Sequence, residues 1–157
     1  SICAYRLGEH GTSQFAAWSA ANFGGKPLAE LAAEQPDRFG FDLAQVEKDA
    51  RFGGYVTYAG KGCTEYAIAN AAVRLVRAVV SDEHLVTACS TLLTGEYGES
   101  GHYTSLPCVV GAAGVEEVVT LSLTEAEQAE LHASCEHIKG NIARLTWWDE
   151  ERHPSLR

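Results

Sequence analysis

A chain of 157 residues, 46% of them hydrophobic, can bury one sizeable core, and a single domain over residues 1–157 is expected. Its 21 acidic and 12 basic residues give a formal net charge of −9, a field that argues against nucleic acid and anionic membrane surfaces as partners and obliges any anionic ligand to find a local concentration of positive charge. No run approaches the ~20 apolar residues of a membrane span and no signal-peptide pattern opens the chain, so a soluble, cytoplasmic protein is expected, with its five scattered cysteines reduced and mostly in the core.

Ile2 to Leu7 is rich in strand formers and predicts one strand. It begins without a lead-in, as though a preceding element had been removed, and the chain is expected to be a piece of a longer one. The strand runs into Gly8-Glu9-His10-Gly11, where two glycines free the backbone to turn or to let a ligand approach. Next, Gln14 to Phe23 and Lys26 to Leu31 flank Gly24-Gly25 and predict a β-hairpin. Pro36 to Phe41 carries loop signals, and Asp42 with Gln45 resembles a capping box opening a helix that extends towards Gly60, kinked near Gly53-Gly54. From Thr64, the residues Ile68, Ala72, Leu75 and Val79 recur at helical spacing, with Arg74 and Arg77 on another face.

Leu85 to Leu93 and Tyr103 to Val110 predict strands joined by the loop Thr94 to Gly101, with Pro107 pointing to an edge position or a bulge. A third strand, Val115 to Leu121, follows the turn Gly111 to Gly114. Thr124 with Glu127 makes a capping box, and Leu131, Cys135, Ile138, Ile142 and Leu145 form one apolar stripe, a helix of about six turns at 3.6 residues per turn. Strands and helices occur in blocks, which predicts an α+β domain with a mostly antiparallel sheet packed against long helices.

Gly8-Glu9-His10-Gly11 is the most suggestive local feature for chemistry. Histidine titrates near neutral pH and both gives and takes a proton, and the flanking glycines leave room for a ligand beside the ring. The alternative is a surface turn with an incidental histidine. Elsewhere, His132, Cys135 and His137 lie close together on the last helix. Cys135 sits on the apolar stripe while the two histidines point away from it, so no shared metal is expected. There is no H-E-x-x-H, no C-x-x-C and no G-x-S-x-G.

The run Gly8 to Ser13 followed by Trp18-Ser19 resembles the active-site segment of the lactate/malate dehydrogenase family. Lys61-Gly62-Cys63-Thr64 through Ala69 is similar to that family's K-G-x-T-x-x-x-I/V-A segment. Thr94 to Gly98 resembles its G-x-Y-G loop, Leu106 to Gly111 its V-P-x-x-x-G strand, and Leu121 to Leu131 the entry to its final helix. The resemblance spans nearly the whole chain, looks closest to the L-lactate and L-2-hydroxyisocaproate dehydrogenase subgroup, and implies the family's carboxy-terminal, substrate-binding domain. The tail Trp147 to Arg157 extends beyond the pattern.

The resemblance implies that His10 is the general acid/base of an NAD-dependent interconversion of a 2-hydroxy acid and a 2-oxo acid. It also implies that Thr64 and Ile68 line the substrate pocket, with Ile68 packing near the nicotinamide. Two departures stand out. Glu65 replaces a residue that is commonly neutral, and Cys3 stands where allosteric bacterial members carry a sugar-phosphate-binding histidine, which argues against that activation.

The family's glycine-rich dinucleotide loop, its mobile-loop arginine, the aspartate that orients the histidine and the arginine that holds the substrate carboxylate all precede the matched region. No G-x-G-x-x-G follows a strand here. NAD is therefore expected to bind mainly to an absent amino-terminal Rossmann domain, and this chain alone is expected to be inactive. A homo-oligomer, dimer or tetramer, is expected for the full-length protein.

Two alternatives stay open: a malate dehydrogenase fragment, or a standalone oligomerisation module without activity. A domain separated from its partner should expose an apolar face centred on Ile2 to Leu7 and Ile68, where a standalone module would carry polar residues.

Overall fold

A computed structural model describes residues 2–145; the tail from Trp147 lies outside them. Strands β1 (Ile2–Cys3) and β2 (Arg6–Leu7) come from the segment predicted as one strand. β1 pairs with β4 (Asn22–Phe23), and β2 pairs with β3 (Phe15–Ala16), both antiparallel. The interruption comes from the facing segment: it carries a 3₁₀ turn at Trp18–Ala20, so the register shifts between the two pairings and the opposite strand divides at Ala4-Tyr5.

The Gly24-Gly25 hairpin is present, with φ of 62° and 89° at the two glycines, the left-handed values that a tight two-residue turn requires. It is shorter than predicted. β5 (Lys26–Pro27) pairs for only two residues, and the chain then turns into α1 (Leu28–Glu34) and α2 (Pro36–Phe39) instead of continuing as a strand and a loop. Leu28 and Leu31, three residues apart, are the buried side chains of α1, so the helix places on one face what a strand would have split between two.

Helix α3 (Leu43–Lys61) opens at Asp42, whose carboxylate accepts the N–H of Gln45 at 3.0 Å, and it runs through Gly53-Gly54 as one helix. It ends at Gly62 in the left-handed conformation (φ 75°), a common helix stop. Helix α4 (Tyr66–Val80) follows.

β6 (Leu85–Thr94), β7 (Ser100–Gly111) and β8 (Gly114–Val118) form an antiparallel meander with β7 at its centre. The even-numbered residues His102, Thr104, Leu106, Cys108 and Val110 of β7 are all buried, the period-two signature of a sheet with one covered face. One half of that face packs Leu106 with Leu7, Phe15, Leu93, Leu131 and Cys135; the other packs Cys108 and Val110 with Ala78 of α4.

Pro107 lies in the central strand, not at an edge, yet its missing N–H costs little. The β8 register ends at Cys108 opposite Val118, Val119 N donates to Pro107 O at 2.8 Å, and two residues upstream Ser105 pairs with Gly8. Pro107 thus occupies the gap between two partners on the same strand edge.

Helix α5 (Glu125–Ala143) carries the predicted capping box: Thr124 Oγ1 accepts Glu127 N and Glu127 Oε2 accepts Thr124 N. The same carboxylate accepts the N–H and hydroxyl of Ser19, so Glu127 ties the Trp18-Ser19 turn to the start of α5. Of the predicted stripe, Leu131 and Cys135 are fully buried, whereas Ile142 and Leu145 are exposed in this chain. The five cysteines are free, Cys108 and Cys135 buried and Cys63 exposed, the last against expectation.

No described helix is long and apolar enough to cross a membrane.

Candidate active site

The turn carrying His10 is held from both sides. Gly8 exchanges two main-chain hydrogen bonds of 3.1 Å with Ser105 of β7. From α5, fully buried Ser134 accepts the N–H of Glu9 at 2.7 Å. Gly8 has a φ of 90°, and a Cβ there would stand 2.5 Å from Ser134 Oγ, so both conformation and space require glycine.

The Glu9 side chain turns inward to accept the Ser13 hydroxyl at 2.6 Å and the Ser13 N–H at 3.3 Å, closing the turn on itself. Gln14 Nε2 donates to Gly11 O at 2.7 Å. His10 therefore projects from a turn whose base is pinned to a strand and a helix, an arrangement suited to presenting an imidazole at a defined point.

His10 is exposed on the rim of a cleft of about 490 Å³ between this turn and α3. Arg51, Phe52, Tyr55 and Tyr58 of α3 line it, with Gln14 and Thr64. The structure thus brings His10 and Thr64 to one cavity. Helix α4 starts at Glu65 without a side-chain cap, so Thr64 does not serve as the helix cap its position could suggest. Ile68 is not in the cleft; it stands two-thirds exposed on the first turn of α4. Glu65, the charged departure at the rim, is paired with Lys61 at 2.9 Å, and hydrogen bonds from Cys63 and Lys61 hold its carboxyl below the usual range.

Arg51 was not singled out from the sequence. Its Nη2 donates to Gln14 O at 2.9 Å and pairs with Glu47 Oε1 at 3.0 Å, while its buried Nε has no partner among the described residues. Arg6 joins the cluster, donating to Gln14 Oε1 at 2.8 Å and to Glu47 O at 3.2 Å; burial lowers its pKa, opposed by Glu47 and reinforced by Arg51. Across the cluster, burial followed by repulsion from Glu47 and Glu127 pushes Glu130 up, towards its neutral form. Arg51 in the cleft wall is the local positive charge that an anionic ligand needs in a chain of this net charge, with Arg6 behind it sharing Glu47 and Gln14. The available signal was Arg51 four residues after Glu47 on a helix, a pair that by itself usually marks a solvated helix face.

These elements define an α+β domain that presents one histidine, from a clamped glycine turn, to a cleft with an arginine in its wall. Residues 2–146 match the family described as lactate/malate dehydrogenase, alpha/beta C-terminal domain, and the chain belongs to that family. It is 40% identical over 135 residues to L-lactate dehydrogenase 3 of Bacillus thuringiensis subsp. konkukian, covering 85% of this chain and 43% of the relative. The solved minor L-lactate dehydrogenase from Enterococcus mundtii superposes with a TM-score of 0.86 at 33% identity, over 94% of this chain and 47% of that one. The malate dehydrogenase from Aeropyrum pernix superposes with a TM-score of 0.79 at 26% identity, over 91% of this chain and 45% of that one. The chain spans less than half the length of these proteins.

Proposed function

We propose that this chain is the carboxy-terminal, substrate-binding domain of an NAD-dependent L-2-hydroxy acid dehydrogenase of the L-lactate type, with His10 as general acid/base. The observation that carries this reading is the placement of His10: it stands on a turn clamped by Ser134 and Ser105 and opens on a cleft shared with Thr64 and Arg51.

NAD, when bound, takes or gives the hydride at the carbon bearing the oxygen. In the oxidising direction the neutral imidazole of His10 accepts the hydroxyl proton of the substrate. In the reducing direction its imidazolium hydrogen-bonds the ketone oxygen and returns that proton. Thr64 contributes a hydroxyl to the pocket wall, and Arg51 adds positive potential for the substrate carboxylate. Ile68 offers an exposed apolar side chain of the kind a flat nicotinamide ring packs against, and this sequence has no glycine-rich phosphate loop. On this reading Ile68 is the chain's share of the cofactor site, and the phosphates are held by a separate dinucleotide-binding domain.

The exposed face also bears on the alternative of a standalone module. Ile2 and Ile68 are exposed as that comparison required, but Leu7 is in the core; the apolar surface instead follows α3 and α4 through Tyr55, Val56, Val73, Val76 and Val80. Its apolar character favours a domain that meets other protein, whether its own dinucleotide-binding domain or further subunits of a homo-oligomer.

The test is turnover by the full-length protein carrying this chain, followed at the nicotinamide with L-lactate and larger L-2-hydroxy acids. His10→Asn should retain NAD binding and lose about 10²–10⁴ in rate. Near-normal turnover in that variant would overturn the assignment, and a preference for malate would move the chain to the malate branch. The isolated chain should show no turnover.

A further inference from the structure

We propose that Glu99, His102 and Cys135 form a binding site for a divalent transition-metal ion, zinc being the ion that best suits a carboxylate, an imidazole and a thiolate. Glu99 precedes β7, His102 lies on the core-facing row of that strand, and Cys135 faces both from the middle of α5. One donor atom from each lies within 4.8 Å of the other two, and His102 Nε2 stands 3.8 Å from Glu99 Oε2. Donors around a tetrahedral zinc at ~2.0–2.3 Å lie about 3.3–3.8 Å apart, so a small contraction closes the site.

His102 is the residue whose state demands a partner. It is 3% exposed, and its Nδ1 lies 3.0 Å from Ser100 O. A carbonyl only accepts, so Nδ1 carries a proton and donates it, which leaves Nε2 as the nitrogen available to a ligand. That nitrogen has no hydrogen-bond partner among the described residues, is shut off from solvent and lies 3.8 Å from Glu99 Oε2. A buried imidazole nitrogen without a partner carries a desolvation cost that a bound cation would relieve. A histidine donating through one nitrogen to a main-chain carbonyl, with the other free, is oriented as metal-bound histidines are.

The rim of the cluster can accommodate an ion. His132 Nδ1 lies 2.7 Å from Glu99 Oε1, holding the outer oxygen of that carboxylate from a half-exposed position. Lys139 Nζ donates to Glu99 Oε2 at 2.7 Å and also to Glu136 at 2.9 Å, so it keeps a carboxylate partner when the ion takes over Glu99. Burial pushes the Cys135 thiol up to about 11, so it is protonated at neutral pH and releases its proton on coordination.

The experiment is a cobalt titration of the chelator-treated full chain, followed by competition with zinc. One equivalent of cobalt should give a thiolate-to-metal charge-transfer band and the intensified visible bands of tetrahedral cobalt, both abolished by zinc. Cys135→Ser should remove the charge-transfer band, His102→Ala should weaken binding about tenfold or more, and Cys63→Ser, at the exposed thiol, should change neither. If Cys135→Ser does not fold by circular dichroism, Glu99→Gln decides: a comparable loss of affinity supports the site and unchanged affinity overturns it. Absence of the band in folded protein, or its loss in Cys63→Ser with retention in Cys135→Ser, also overturns it.

Discussion

Ser134, fully buried on α5, accepts the main-chain N–H of Glu9 at 2.7 Å, joining the middle of the last helix to the residue before His10. Ser134→Ala leaves that N–H without its acceptor, at a cost of about 1–3 kcal/mol. Because the lost bond positions the turn, the proposed turnover of the full-length protein should fall more than its substrate affinity. Denaturant unfolding and a kcat-against-KM comparison check the two parts. Gly8→Ala should cost at least about 1 kcal/mol, through the φ of 90° and the crowding against Ser134 Oγ. Combining it with Ser134→Ala should recover only the part of the crowding due to Oγ, since the Cβ of residue 134 still stands 3.0 Å away.

Arg51→Met removes a guanidinium from the cleft wall and leaves Glu47 beside Arg6 alone. On the proposed function, the expected result is a several-fold rise in KM for anionic 2-oxo acids with a smaller change in kcat, since the positive potential would act on the bound carboxylate throughout the reaction. Raised salt should narrow the difference between the two proteins. An unchanged KM would remove Arg51 from the binding argument.

Glu127 should set part of the acid sensitivity. Burial pushes its carboxyl up, but the hydrogen bonds from Ser19 and Thr124 outweigh it, and the folded-state pKa is lowered. A lowered folded pKa gives stability that is fully present above the unfolded value of about 4.3 and is lost as pH falls through the folded value. Glu127→Gln should therefore be destabilised at neutral pH and approach the unmodified protein only as pH falls below the lowered folded-state value. Chemical denaturation at neutral and at acid pH measures the gap.

Tyr97 accepts Leu121 N at 2.6 Å and donates to Leu121 O at 3.0 Å, closing the loop after β6 onto the segment before α5. Tyr97→Phe should cost about 1–3 kcal/mol by stranding both groups, and hydrogen exchange should quicken at Leu121. Slow exchange there in a folded variant would show that the phenol is dispensable.

On α4, Val76 and Val80 are 62% and 79% exposed. Val76→Glu with Val80→Lys should change the stability of the isolated chain by no more than about 0.5 kcal/mol per site. The same pair should reduce self-association, read by sedimentation, if that face meets other protein in the full-length assembly.

Much of the fold was legible because its signals were local. Thr124 and Glu127 lie three residues apart and cap α5 as expected, and the Gly24-Gly25 turn and the β6–β7–β8 meander follow from punctuation and alternation. The failures came where distant residues decide. The division of Ile2 to Leu7 depends on the Trp18–Ala20 turn in the facing segment, and the short hairpin arm gave way to α1 because Leu28 and Leu31 share a buried face. Periodicity located the stripe on α4 without saying what covers it, and Ile68 stands exposed in this chain.

At the site, Gly8 to Gly11 stood out as a tetrapeptide, but Arg51 is brought to it only by packing α3 against the turn. Reading His132 with Cys135 and His137 along one helix likewise did not bring in Glu99 and His102, whose donor atoms lie within 4.8 Å of the Cys135 thiol.

Pro107 gives one strand edge two tenants. Downstream of it β7 carries β8, and upstream it carries the Gly8 end of the histidine turn, with no N–H between them to extend either ladder. The hairpin can therefore lengthen, shorten or slip without dragging the histidine with it. Insertions near Ala112-Ala113 should be silent at the His10 turn, whereas replacing Pro107 would join two independent pairings into one sliding rail.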